Sequence, residues 1–590
     1  MDQSQFYVDK TTDTFADTLL AYGVAALLDR LLRDNVGKRT VRVRDMGSAY
    51  VLDLENPIRD GYEDVPWFCD IPFLQAGGKK PPDGWPAPVV DYAEERERRS
   101  EHFEARRQLP REARRPGATV DEFPELSTVH ALRPRPDYDI LAQIYQMSSI
   151  YAYTHVLSNW FTCRDAFPQL LALILDLFAA TPNDVERALD GWRELKKEHD
   201  LGISRSKDQA TLVQIVNPSM GKGVNRTKAD RADLLTNPSS FWPLEFLKFW
   251  GMRKAALPRF VRGGGDRKTY VLRPRNVTLD TLGSVYRPLN AVMWPSTAVK
   301  MDVLAALRFT DVFLEQWLAG QLEDARYGEQ PGDHVSGLAV AFYKDMGSAC
   351  SVLNLAQINV PQWMLVDSPE RAHLYRAVLE EHRRVVDSLD EGRGDPYRLL
   401  QLYRDFLSGR SLDPFFEFSA GYASLTMSRM ERGQWAPRFR TDHLEELIMT
   451  IDQELTPILE SAGFQNVASA IRRSTVIPQY FKARGKKGPY QIRYGLGNDL
   501  LRRAAYPKEF VQALGDFLHD YNRETAQINE RYNGNPPVRR AAITIDDIQQ
   551  IVTLIDAYDS ETIASLLVAF GYAREPRGRE EQEEGSNGEE

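Results

Sequence analysis

Between residues 217 and 231 the chain reads Asn-Pro-Ser-Met-Gly-Lys-Gly-Val-Asn-Arg-Thr-Lys-Ala-Asp-Arg. Gly221 and Gly223 flank Lys222, and glycines let a backbone come close to a ligand and turn its N–H groups toward an anion. Asn217, Asn225, Arg226, Lys228 and Arg231 add the amides and cations that read base edges or grip phosphates. Lys222 is followed by glycine instead of Ser or Thr, so the pattern departs from the loop that cradles nucleoside triphosphates. A solvated basic loop with no ligand is the competing reading. Residues 201–300 carry 17 Lys+Arg against 6 Asp+Glu, whereas the whole chain has a formal net charge of −10. Such asymmetry points to a polyanionic partner.

Two further sets of cations follow. Gly263-Gly264-Gly265-Asp266 suits the turn of a hairpin whose polar side Arg267, Lys268, Arg273 and Arg275 would line. Arg472, Arg473, Lys482, Arg484, Lys486, Lys487 and Arg493, with Arg502 and Arg503 beyond, are interleaved with Tyr480, Phe481, Tyr490 and Tyr494. Cations among aromatic rings suit a single strand, because rings stack on bases while cations meet phosphates. A basic helical face over core tyrosines is the alternative.

Catalytic chemistry is not spelled out. His199-Asp200 and His519-Asp520 are dipeptides of the sort used by metal-dependent phosphohydrolases, but such a site also needs a further histidine and a distal aspartate. No HExxH or GxSxG occurs, and Cys69, Cys163 and Cys350 form no CxxC pair. His155, among aromatics and aliphatics, reads as a core histidine. No catalytic residue, metal or cofactor is therefore expected.

The elements that must position the cations can be read from periodicity. Phe15, Leu19, Leu20, Leu27, Leu28, Leu31 and Leu32 mark an opening helix, and residues 40–54 alternate as two strands around a tight turn. Residues 76–120 are densely charged with both signs nearly balanced, and read as an insertion carrying an exposed helix. A strand at 211–216, the glycine loop and a helix at 242–253 come next. Residues 335–343 and 350–355 read as paired strands. Asp45–Ala49 recurs as Asp345–Ala349, but five residues without similar flanks do not establish a duplication. Beyond about 365 the pattern is helical, at 368–388, 396–408, 442–461, 464–474, 507–532, 545–556 and 559–571.

The expected architecture is α+β: a mixed body over 1–365, a helical bundle over 366–573, and an acidic tail over 574–590 too poor in apolar residues to fold. The first residues lack the basic start and apolar core of a secretory signal, and no run approaches the 18 apolar residues of a membrane span. A soluble, reduced, cytoplasmic setting follows.

Thr18-Leu19-Leu20-Ala21-Tyr22-Gly23-Val24-Ala25-Ala26-Leu27-Leu28 opening the body, Asn217 to Arg226 at its centre, and Ile471-Arg472-Arg473-Ser474-Thr475-Val476 with Tyr490-Gln491-Ile492-Arg493-Tyr494-Gly495-Leu496 in the helical part together resemble the large subunit of type I CRISPR Cascade surveillance complexes, over nearly the whole chain. The resemblance implies a non-catalytic subunit that recognises the short motif flanking a DNA target, helps open the duplex and holds the displaced strand while guide RNA pairs with the other. It implies that Lys222 and Asn225 read the motif and that Arg226, Lys228 and Arg231 clamp phosphates. The cluster from Arg472 to Arg503 would guide the displaced strand or contact the backbone of the guide-bound duplex. Guide RNA, other Cascade subunits, double-stranded DNA and a recruited helicase-nuclease are the implied partners. A stand-alone metal-dependent phosphohydrolase and a structural protein-interaction subunit remain as competing readings.

Overall fold

The computed structural model describes residues 3–35, 40–58, 64–114, 118–147, 149–219, 239–347, 350–409, 411–486 and 488–576 of the 590-residue chain. It is an α+β protein of two compact units: Met1–Ser296 with Gln316–Arg326 and Pro331–Asn359, and Thr297–Glu315 with Tyr327–Gln330 and Val360–Glu590. The expected cut near 365 is replaced by a return at Val360, and the second unit also takes residues 297–315 from earlier in the chain.

The first unit begins with β1 (Gln3–Asp9), α1 (Phe15–Asn35) and the hairpin β2 (Val41–Asp45) and β3 (Ala49–Ile58). Two short parallel strands, β4 (Phe73–Gln75) and β5 (Val89–Asp91), lead into the charged α2 (Tyr92–Gln108) and into α3 (Leu126–Ala131). Leu109, Ala113, Leu126 and Val129 form a small apolar cluster there, so the charged excursion has a core of its own. Helices α4 (Tyr138–Gln146), α5 (Ile150–Thr162), α6 (Phe167–Phe178) and α7 (Val185–Glu198) follow, then the antiparallel pair β6 (Gln209–Thr211) and β7 (Ser239–Phe241). The strand expected over 211–216 ends at Thr211. Val213, Ile215 and Val216 are buried in a turn instead, with the Asn217 N–H bonded to the Val213 carbonyl at 2.9 Å; a short apolar run is compatible with either.

The remainder of the unit comprises α8 (Trp242–Ala255), β8 (Ala256–Phe260), β9 (Arg267–Pro274), β10 (Asn276–Thr278), α9 (Leu279–Val292), the end of α10 (Ala298–Leu318), α11 (Pro331–His334), β11 (Val335–Asp345) and β12 (Cys350–Asn359). Two antiparallel sheets result, ordered β1-β3-β2-β10 and β12-β11-β9-β8. At the centre α1 and α8 touch backbone to backbone. A Cβ on Gly23 would lie 1.9 Å from the Leu247 carbonyl oxygen, and one on Gly251 would lie 1.9 Å from that of Leu19. Only glycine allows that approach.

The first copy of the repeated pentapeptide occupies a hairpin tip, and the second begins at the end of β11, its Ser348 and Ala349 lying outside the described residues. Asp45 pairs with Tyr50 and Asp345 with Cys350, each five residues on. The Asp45 and Asp345 carboxylates accept the N–H of Gly47 and Gly347 at 2.9 and 2.8 Å, and both glycines have positive φ, +89° and +82°. Met46 and Met346 are both exposed. The sheets around the two hairpins differ in strand order, so the shared residues specify a turn and not a duplicated unit.

The second unit is helical among its described residues: most of α10, then α12 (Pro369–Ser388), α13 (Gly394–Ser408), α14 (Asp413–Glu431), α15 (Thr441–Ile451), α16 (Thr456–Glu460), α17 (Ala462–Ser474), α18 (Val476–Ala483), α19 (Leu496–Ala504), α20 (Pro507–Arg531), α21 (Ile545–Tyr558) and α22 (Ser560–Tyr572). The helix expected over 442–461 breaks at Asp452, whose side chain accepts the Glu454 N–H and starts a new turn. The tail begins later than expected. The Arg574 N–H bonds to the Phe439 carbonyl, and Glu575 meets the buried Arg472, so these residues belong to the bundle; 577–590 lie outside the described residues.

His382 is buried in this bundle between Tyr403, Phe415 and Phe439, with its Nδ1 2.6 Å from the Tyr403 hydroxyl. Burial pushes its pKa from 6.5 down to about 4, against the pull of Glu381 and with the help of nearby His443. Burial would raise the Glu381 carboxyl, but hydrogen bonds from His443 and the Arg440 N–H outweigh it and hold it low. The unfolded chain therefore binds the extra proton first as pH falls below 6.5, and stability is lost down to about pH 4. Urea denaturation at pH 7 and pH 5 should show a loss of about 2 kcal/mol from this residue, and the His382→Phe protein should lack that part of the pH dependence. An unchanged slope in the variant would show that folded His382 takes up its proton as readily as the unfolded one.

Candidate nucleic-acid interface

Helix α8 is buried from Trp242 to Met252, yet this stretch contains an acid and a base one turn apart. Glu245 has no solvent exposure, and Lys248 is buried beside it with Nζ 2.8 Å from Glu245 Oε1. The Asn217 amide donates to Glu245 Oε2 at 2.7 Å, its oxygen accepts from Lys248 at 2.7 Å, and the Ser240 hydroxyl donates to Glu245 Oε1 at 2.7 Å. The donors and acceptors answer one another, which a buried ion pair requires. Asn217 precedes the segment 220–238 and Ser240 follows it. Pairing of Thr211 with Ser239 adds a backbone clasp.

This corrects the expectation for Asn217. Its side chain is spent inside the protein, so it anchors the base of the basic segment and does not face a groove. Glu245 and Lys248 are the residues that sequence reading passed over. The signal was present as an acid and a lysine at i, i+3 in an otherwise apolar stretch, where charges are kept only if paired. Lys222, Asn225, Arg226, Lys228 and Arg231 lie outside the described residues.

Two of the hairpin cations, Arg267 and Lys268, do not line a polar surface either. β8 and β9 pair as expected, with Phe260 opposite Arg267. β9 is an interior strand, and both of its faces are covered: the adjacent Arg267 and Lys268, which point to opposite faces, are each buried. The Arg267 guanidinium sits 4.0 Å from the Phe260 ring centroid and the Lys268 ammonium 5.2 Å from that of Phe342, its neighbours across the sheet. Burial lowers the pKa of Arg267, with Cys350, Tyr92 and nearby acids acting the other way. Arg273 is half-buried, and Arg275 forms an open ion pair with Asp333 at 3.7 Å. Gly265 lies against the Asp345 carboxylate, and Asp266 bonds Lys344 at 2.9 Å and the Asp345 N–H at 3.0 Å; the glycine turn is tied to the neighbouring hairpin tip.

The cluster in the second unit separates into two kinds of cation. Arg472 is buried, donating to the Phe570 carbonyl at 2.9 Å and pairing with Glu575. Arg473 donates to the Arg539 carbonyl at 2.8 Å, and Arg493 lies over Phe517 and 3.6 Å from Asp520. Arg472 is thus spent inside the bundle, which corrects its assignment to a DNA-facing surface, whereas the half-buried Arg473 and Arg493 are tied to the 532–544 connection and to α20. Lys482, Arg484 and Lys486 are exposed, and Lys487 lies outside the described residues.

The geometry of those three follows from how α18 ends. Gly485, at φ +74°, reverses the chain, with its N–H on the Lys482 carbonyl and the Lys486 N–H on that of Phe481, both at 3.0 Å. This paired closure is the glycine-terminated helix end. It leaves Lys482 2.9 Å from the hydroxyl of the exposed Tyr494, which raises the pKa of the lysine, and leaves the Arg484 guanidinium 4.2 Å from the Tyr480 ring centroid. Cations at a helix C-terminus also answer the backbone dipole, but Lys486 lies past it. The result is an exposed basic surface with aromatic faces, the pairing that single strands use.

The His-Asp dipeptides do not converge on anything. His199 is exposed where α7 ends and His519 is exposed on α20. Among the described residues no group of three His, Cys, Asp or Glu could hold a metal ion, and no helix is long and apolar enough to cross a membrane. His155, expected in the core, is half-buried with Nε2 3.4 Å from Asn159. Neither a protein-family model nor a curated protein matches the chain.

Glu245→Ala would leave Lys248 buried without its carboxylate. Such a break costs about 3–5 kcal/mol, so the urea midpoint of the protein should fall by a corresponding amount. A change under about 1 kcal/mol would mean that the pair is solvated like a surface ion pair.

Proposed function

We propose that this chain is the non-catalytic large subunit of an RNA-guided DNA surveillance complex of the type I CRISPR Cascade kind, acting in antiviral defence in the cytoplasm. The observation that carries the reading is the buried Asn217–Glu245–Lys248–Ser240 network. It ties both ends of a segment bearing Lys222, Asn225, Arg226, Lys228 and Arg231 to one helix. Ends already held in place before a ligand arrives leave less for binding to fix.

On this reading Lys222 and Asn225 contact the edges of the motif that flanks the target, and the arginines and Lys228 grip phosphates. The surface of Lys482, Arg484 and Lys486, with Tyr480 and Tyr494, tracks the displaced strand. Guide RNA supplies sequence recognition by pairing, so the protein needs to read only the short motif and the shape of the nucleic acid. The implied partners are guide RNA, the other subunits of the complex, the DNA duplex and a recruited helicase-nuclease.

Co-expression with its genomic neighbours should yield this chain with RNA of discrete length, and the complex should bind matched duplex only beside the correct motif. Lys222→Ala with Asn225→Ala should abolish that binding. Changing Lys482, Arg484 and Lys486 to alanine should make the log–log salt dependence of single-strand binding shallower by about 2, near 0.7 per phosphate contact. No copurifying RNA and no DNA binding would sink the proposal, and an unchanged salt slope would remove the second surface from it.

A further inference from the structure

Gly77 and Gly78 adopt left-handed angles of +55° and +79°, and the Lys79 N–H closes their turn onto the Ala76 carbonyl at 3.0 Å. A Cβ on either glycine would meet nothing within 4 Å, so the outer side of the turn is open. The turn and the start of α2 border an open pocket of about 220 Å³, lined by Lys79, Lys80, Tyr92 and Tyr145 among others. That is below the roughly 300 Å³ lower bound for drug-sized ligands, and fits one planar ring system.

The walls suit such a ring. Tyr92 is buried with its ring centroid 4.4 Å from that of Tyr145, which fixes Tyr145 from behind while leaving it 38% exposed. Lys79 lies 4.6 Å from the ring centroid of Tyr151, which is 63% exposed. Two large rings therefore stand partly in water near Lys79, and Lys80 lines the same pocket as Tyr145. The one acid in the lining, Asp91, is turned to the protein. Its Oδ1 accepts the Ala93 and Glu94 N–H groups at 2.9 and 3.3 Å, and its Oδ2 accepts from Gln75 at 3.1 Å. The start of α2 is therefore already capped, and the cations for an anionic ligand are Lys79 and Lys80.

We propose that this pocket takes one unpaired base of a nucleic-acid strand, stacked on Tyr145, with the adjoining phosphates on Lys79 and Lys80. It is a single-strand site distinct from the surface around Lys482. A ring on an aromatic face with phosphates on lysines is the pairing by which strands are held without regard to sequence.

The test is photo-crosslinking of the full chain to a 15-nucleotide single strand containing 4-thiouridine, with cross-linked peptides mapped by mass spectrometry. Peptides holding Tyr145 or Tyr151 should be labelled. Their yield should fall at least fivefold in Lys79→Glu with Lys80→Glu. Labelling confined to residues 480–494 would overturn the pocket while leaving the earlier proposal standing, and labelling nowhere would count against both. Adenosine monophosphate that binds at least tenfold tighter than the strand, and displaces it, would overturn the strand in favour of a free nucleotide.

Discussion

The first unit depends on the contact between α1 and α8. Two glycines, Gly23 and Gly251, each face a leucine carbonyl of the other helix, and the backbones approach as closely as van der Waals radii allow. With the axes fixed at that distance, α8 is enclosed from Trp242 to Met252. Its one acid and one interior lysine must then satisfy each other and whatever chain passes nearby. The chain that passes is Asn217 on one side and Ser240 on the other. A steric constraint in the core thus decides where the chain on either side of residues 220–238 is anchored.

Much of the fold is legible in the sequence because its signals are local. The alternation of residues 40–54 and 335–355 gives the two hairpins, and the 3.6-residue period beyond 365 gives the helices. Gly263-Gly264-Gly265-Asp266 marks its turn correctly. The turn at 213–217 was not legible, because a short apolar run carries no preference between strand and buried turn. Neither was the assignment of residues 297–315 to the second unit, since which core an amphipathic helix joins is set by partners distant in sequence.

The site was legible only as charge. Counting lysines and arginines finds a basic region but cannot separate cations that face water from cations that hold the protein together. Arg267, Lys268 and Arg472 are of the second kind, and what distinguishes them is a partner found only in three dimensions: the cross-strand rings of Phe260 and Phe342, and Glu575. Lys482 and Arg484 are of the first kind, and a local signal marks them: Gly485, three and one positions later, where a helix must end and its last side chains spread into solvent. In Gly77-Gly78-Lys79-Lys80 the glycines instead precede the lysines and mark a turn after β4, within a stretch read only as an excursion.

The interrupted path of the chain has a consequence for its synthesis. β9 ends at Pro274, and its partner β11 starts at Val335. At the ribosome's pace of roughly 5–20 residues per second, β9 waits about 3–12 s for that partner. Throughout that interval one edge of a strand bearing Tyr270, Val271 and Leu272 has no native neighbour, and open apolar edges are what nascent chains aggregate through. Meanwhile residues 297–315 have already emerged, yet the helices they join are not made until after Val360. Neither unit can finish before the other has begun, so the nascent protein is most vulnerable midway through translation.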